Sequence, residues 1–209
     1  MLIIIFGAVM GGTLSQQAPY LLTDATGKSH ISMEHLAIVM TDELARPAHS
    51  HQCLTIRCQI KRNTRKEIIM AKGAASAVLS NLDKLLPDLE ALYKDVHAHP
   101  ELSMQETRTS GIAADRLKKA GYEVTTGVGK TGVVGLLRNG GGPTVMLRAD
   151  MDALPITETT GLDYASKVSA TDAEGNTVPV GHMCGHDMHV TWLVGAATLL
   201  SQTRDAWKG

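Results

Sequence analysis

Aromatic side chains are scarce in this chain, with one Phe, two Trp and four Tyr among 209 residues. A base-stacking surface needs several such rings, so their scarcity argues against single-stranded nucleic acid as a partner. A formal charge of −1 gives no general attraction for a polyanion either. Cysteine is sparse and odd in number, Cys53, Cys58 and Cys184. That excludes a disulfide framework and suits a reducing, cytoplasmic compartment. Long apolar runs are lacking too. Met1 to Met10 is apolar, but it is too short to span a bilayer and carries no basic flank of a secretory signal. Neither a membrane nor a nucleic acid is expected as a partner.

What is present is globular in kind. Apolar residues make up 44% of the chain and charged residues 20%, values of a folded domain rather than a disordered one. The length suits one domain, or a domain with a tail. From Gly11 to Ile69 no apolar period persists. Residues 1–69 are therefore expected to be an irregular extension or translated upstream sequence, with Met70 as the natural start. His49, His51, Cys53 and Cys58 match no standard zinc spacing. Arg57, Lys61, Arg62, Arg65 and Lys66 read as a solvated basic run.

After Met70 the character changes. Leu82, Leu85, Leu86, Leu89, Leu92 and Val96 recur at helical spacing, with Pro87 as a kink or restart. Pro100 ends that helix by disfavouring helical geometry at His99. Ser103 and Glu106 stand at capping-box spacing before a second helix that reaches Ala120, with Gly121 as its stop. Strands are expected at Tyr122–Thr126, Val133–Arg138 and Thr144–Ala149, the last apolar enough to be central. Residues 139–143, Asn-Gly-Gly-Gly-Pro, read as a hairpin connection between the second and third strands. A buried helix follows over Val190–Leu200. Helices and strands in this order make an α/β layered domain. Gly129-Lys130-Thr131 imitates the end of a phosphate-binding loop, but Val124 stands where the first glycine belongs and a strand follows.

Chemistry concentrates in two places. Asp150 and Asp152 stand at the end of the third strand, and ligands collect beyond the carboxyl ends of strands in α/β sheets. Val180 to Val190 then sets His182, Cys184, His186, Asp187 and His189 where a loop enters a helix. Thiolate, imidazole and carboxylate are the ligand types of zinc and its first-row neighbours. Gly181 and Gly185 let the backbone turn there.

Leu147-Arg-Ala-Asp-Met-Asp-Ala-Leu-Pro-Ile156 followed by His182-Met-Cys-Gly-His-Asp187 resembles the metal-dependent amidohydrolases grouped with hippurate hydrolase, N-acyl-amino-acid amidohydrolase and plant indoleacetyl-amino-acid hydrolases. His97-Ala-His-Pro-Glu-Leu102 resembles that family's first helix exit. The resemblance covers Ala75 to Gly209 and nothing before Met70. It implies an α/β/α zinc-peptidase-like catalytic domain over residues 70–209, cut before its sheet is complete. It further implies a site for two divalent metals, zinc or manganese, with cobalt or nickel as alternatives. Cys184 and His186 would be ligands, and Asp152 would orient the catalytic apparatus. Asp150, Asp187 and His189 would support them, and Asp150 stands where related peptidases carry a ligating histidine. His99 fits the family pattern but reads more simply as a turn residue. In the family the general-base glutamate and a ligating glutamate lie on the strand after this helix, so the chain reads as an amino-terminal fragment, itself inactive. The intact relative would hydrolyse N-acyl amino acids such as hippurate and form a homodimer. The alternative is an inactive metal-binding or interaction protein.

Overall fold

The computed structural model describes residues 1–7, 73 and 75–209. The sheet is built around Leu2–Gly7 (β1), whose residues alternate between buried and half-buried. Leu2, Ile4 and Phe6 are each 0% exposed. Burying side chains of this kind stabilises a fold by about 1.5–3 kcal/mol each, as upper bounds. The segment read as irregular thus begins with an inner strand. The reason is a partner set remote in sequence: β1 runs antiparallel to Gly132–Leu137 (β3) and parallel to Val145–Asp150 (β4). The rest of the segment read as an extension, with the His49–Cys58 group, the basic run and Met70, lies outside the described residues.

Leu82–Ala98 (α1) is one continuous helix with Pro87 inside it, not a restart. Leu89, Leu92 and Val96 are buried, whereas Leu86 is 45% exposed. Thr107–Lys119 (α2) follows, then Glu123–Val128 (β2), which pairs antiparallel with β3. Gly129-Lys130-Thr131 is the tight turn of that hairpin, and Lys130 has φ +93°. Ser169–Thr171 (β5) and Thr177–Pro179 (β6) form a separate small hairpin, and His186–Gln202 (α3) closes the core.

The sheet order is β2-β3-β1-β4. Two expectations are corrected by it. Residues 139–143 do not join a hairpin, because β1 lies between β3 and β4. Nor is the third expected strand central: among the described residues β4 is an edge, and its Met146 is 58% exposed. The α/β class itself holds. The face bearing Leu2, Ile4, Phe6, Val133 and Ala149 shares one apolar core with Leu117 of α2 and with Val190, Leu193 and Val194 of α3. α1 in turn packs on α3.

The first and last residues meet beside the Asn139–Pro143 connection. The Met1 ammonium donates to the Pro143 carbonyl at 3.0 Å. Asn139 N–H donates to the Gly209 carbonyl at 2.6 Å, and Gly209 N–H to that of Asn139 at 3.2 Å.

The start of α2 also departs from expectation. Neither Ser103 nor Glu106 caps it. The Glu101 carboxylate accepts from the backbone N–H groups of Arg108 and Thr109, both at 2.8 Å, and from the Thr109 hydroxyl at 2.8 Å. Glu106 is instead fully buried, accepting from the Thr131 hydroxyl at 2.7 Å.

Candidate metal centre

Two short backbone bridges bring the chemistry together. Ala153 N–H donates to the Glu101 carbonyl at 2.8 Å. Leu154 and Gly181 exchange hydrogen bonds of 3.1 and 3.0 Å, which lays the histidine-rich segment along the end of β4. A Cβ on Gly181 would stand 3.1 Å from the Ile156 carbonyl, so the close approach favours glycine. At Gly185 the backbone turns through φ +78° into α3.

α3 opens with His186, and His189 follows one turn later on the same face. Their rings lie 5.3 Å apart. Donor atoms of Asp150, His186 and His189 all come within 4.8 Å of one another. Asp150 therefore joins the group as a potential ligand, a larger role than the resemblance implies for it. Cys184 stands outside that group with its side chain exposed. Asp152 sits beside it. The His186 Nδ1 donates to the Asp152 carbonyl oxygen at 2.8 Å and lies 3.2 Å from its Oδ1, at an angle poor for a second bond. With Nδ1 carrying the proton, Nε2 of His186 keeps its lone pair for a ligand.

Charge in the site follows from these contacts. The Asp152 carboxylate 3.2 Å away raises His186, against the opposing effect of burial, and the bond to the Asp152 carbonyl adds to the rise. Burial raises the Asp152 carboxyl, but His186 outweighs it and holds the group below the usual carboxylate range. His189 is lowered by burial and then by the charge of His186. His182 is buried and neutral, pushed down to about 4 chiefly by burial.

The donor set fits a divalent cation. Asp150 Oδ1 and Asp152 Oδ1 are buried and lie beside Arg148 and His186 as ion pairs, and the His182 ring is buried with no hydrogen bond to either nitrogen. The fit rests on Asp150, His186 and His189, whose carboxylate oxygen and imidazole nitrogens are ligand types of zinc and its neighbours. Arg148 is ion-paired to Asp150, so a metal there would share that carboxylate.

His97 was legible only as part of a helix exit, yet it reaches this neighbourhood through Asp187, at 2.7 Å. Glu158, on the loop after β4, had no sequence signal at all and bonds the other face of His97 at 3.0 Å. His99 is exposed and bonds the Asp95 carbonyl of its own helix, a local turn contact as expected.

A mixed α/β domain with carboxylate and imidazole donors gathered between a strand end and a helix start is an arrangement suited to holding a divalent metal. Residues 146–209 match peptidase family M20/M25/M40. N-acetyl-L-cysteine deacetylase of Bacillus subtilis is 38% identical over 149 residues, 71% of this chain and 33% of that protein. Hippurate hydrolase of Campylobacter jejuni is 44% identical over 115 residues, 54% of this chain and 28% of that protein. A crystal structure of a dinuclear metal-binding peptidase of family M20 from Bacillus subtilis superposes with a TM-score of 0.50 at 35% identity, covering 58% of this chain and 32% of that one. Over residues 146–209 the chain carries the match to peptidase family M20, and it is similar to amidohydrolases of that family, whose members are metal-dependent hydrolases. It spans about a third of the length of these relatives.

Proposed function

We propose that this chain is the metal-holding portion of an amidohydrolase that cleaves the amide bond of small N-acyl amino acids, hippurate among them. One observation carries the reading: Asp150, His186 and His189 converge within 4.8 Å at the carboxyl end of β4. A bound divalent cation supplies Lewis acidity and lowers the pKa of water, which an unreactive amide requires. Asp150, His186 and His189 would hold it, while Cys184, exposed and outside that group, is a ligand only by the family resemblance. The Asp152 carbonyl holds the Nδ1 side of the His186 ring, which would leave Nε2 free to bind a cation. Two metals per site are suggested by the dinuclear M20 peptidase rather than by this donor set; zinc or manganese as the metal, and a homodimer, are carried over from the family resemblance alone. A cytoplasmic location rests on cysteine usage alone.

The group itself contains one carboxylate and no glutamate to act as general base. That favours a second reading for the 209 residues alone, metal binding without chemistry. One experiment separates the two. The purified chain is loaded with zinc or manganese, its metal content is measured by elemental analysis, and amine release from hippurate and N-acetyl amino acids is followed. Binding without turnover is expected, since loss of a positioned base costs ~100–10,000-fold in rate. Metal-dependent turnover at a rate typical of the relatives would show that the base lies within these residues. Metal content no higher than in a His186→Ala/His189→Ala chain would overturn the metal-centre reading.

A further inference from the structure

A buried polar cluster that the proposed chemistry does not use lies beneath the first turn of α3. His97, in the last turn of α1, is 6% exposed and stands between two carboxylates. Its Nδ1 is 2.7 Å from Asp187 Oδ2 and its Nε2 is 3.0 Å from Glu158 Oε1. Both ring nitrogens can donate at once only in the imidazolium form. The rings of Tyr164 and Tyr93 pack against it at 5.3 and 5.6 Å, the first edge-on and the second tilted.

Each carboxylate is itself fixed. Glu158 has its side chain covered from solvent and also accepts from the Ser166 N–H at 2.6 Å and from the Thr160 hydroxyl. Asp187 is 2% exposed, and its Oδ1 accepts from Met188 N–H at 2.9 Å. One imidazole thus ties together α1, the loop after β4 and the opening turn of α3. A buried ion triad is weak evidence for stability, because apolar residues of similar volume serve that end as well. What it does supply is a single register. Asp187 directly follows His186 and stands two residues before His189, so its position sets where both imidazoles point.

We propose that His97, held by Glu158, is a positioning residue of the metal centre: by gripping Asp187 it fixes the angle at which His186 and His189 face Asp150. The inference rests on the metal-centre reading above. His99, two residues further on and exposed, makes no contact of this kind and serves as the control.

The test is cobalt(II) titration of the whole chain, read by calorimetry and by the visible d–d spectrum, which reports ligand geometry. His97→Gln and Glu158→Gln are expected to keep wild-type circular dichroism, to bind cobalt(II) ~10–100-fold more weakly and to change the shape of the spectrum. His99→Gln should leave affinity and spectrum unchanged. Glu158→Gln retains an acceptor oxygen for His97, so it should retain more affinity than Glu158→Ala. A core variant, Leu92→Ala, separates stability from positioning, since it should lower the unfolding midpoint without altering the spectrum. Wild-type affinity and spectrum in His97→Gln would overturn the proposal, as would an equal spectral change in Leu92→Ala. If His97→Gln fails to fold, Glu158→Gln decides alone. A wild-type chain that binds no cobalt(II) would overturn the metal-centre reading and this inference with it, a result distinct from binding that the variants leave untouched.

Discussion

His97 makes the clearest case at the scale of a single residue. Burial alone would push its pKa down, but the hydrogen bonds to Glu158 and Asp187 outweigh burial and the net shift is upward. An unfolded histidine titrates near about 6.5. With the folded value above the unfolded one, the stabilisation is complete below about 6.5 and is lost as pH rises through the folded value. The metal-free chain is therefore expected to show a urea midpoint that falls as pH rises above neutrality. In His97→Gln that part of the pH dependence should vanish; a parallel decline in both proteins would assign it to another group. Little of this was legible in the sequence. Asp152, His186 and their neighbours stand close together in short motifs, whereas His97 and Asp187 are far apart and no local pattern pairs them. The same distance hid the grouping of Asp150 with His189, which depends on how β4 ends against α3.

Among the elements, those set by local periodicity were readable and those set by remote partners were not. α1 and α3 follow from apolar spacing, and β2 and β3 from short β-branched runs between glycines. The start of α2 shows the limit. Ser103-Met-Gln-Glu106 has the right spacing for a capping box, but Thr131, on the β2–β3 turn, draws Glu106 into the core. Glu101 takes over the cap. Glu101→Ala is accordingly expected to destabilise the chain by about 1–2 kcal/mol, the range for loss of a helix cap. Ser103→Ala should change little, and urea unfolding of both variants checks the contrast. Gly132 offers a second test in the β2–β3 hairpin. A Cβ there would stand 2.3 Å from the Val128 carbonyl oxygen, so Gly132→Ala must shift backbone. A loss of about 1–3 kcal/mol is expected, the usual cost of overpacking, measured as a drop in the unfolding midpoint.

For the whole molecule the decisive feature is β1. Its residues are apolar without interruption, so no alternation marks them as a strand in the sequence, and the stretch read as too short for a membrane span and as part of an irregular extension. Removing residues 1–7 should leave β3 and β4 with unpaired inner edges and expose the face that Leu2, Ile4 and Phe6 cover. The shortened chain is expected to aggregate, or to unfold at clearly lower urea than the full chain, by light scattering and circular dichroism. Equal solubility and stability would mean that another strand takes the place of β1. The natural start proposed at Met70 meets the same test, since a chain begun there lacks β1 altogether. The position of β1 also dictates an order of events during synthesis. Leu2–Gly7 leaves the ribosome well before its partners, Gly132–Leu137 and Val145–Asp150. Pairing across so many residues is slow because the loop must close before any bond forms. Until then an apolar strand waits unpaired in the nascent chain, open to capture by other chains or by a chaperone. Joining Gly209 to Met1 and opening the chain elsewhere would remove that wait, because the strand would then emerge after both of its neighbours.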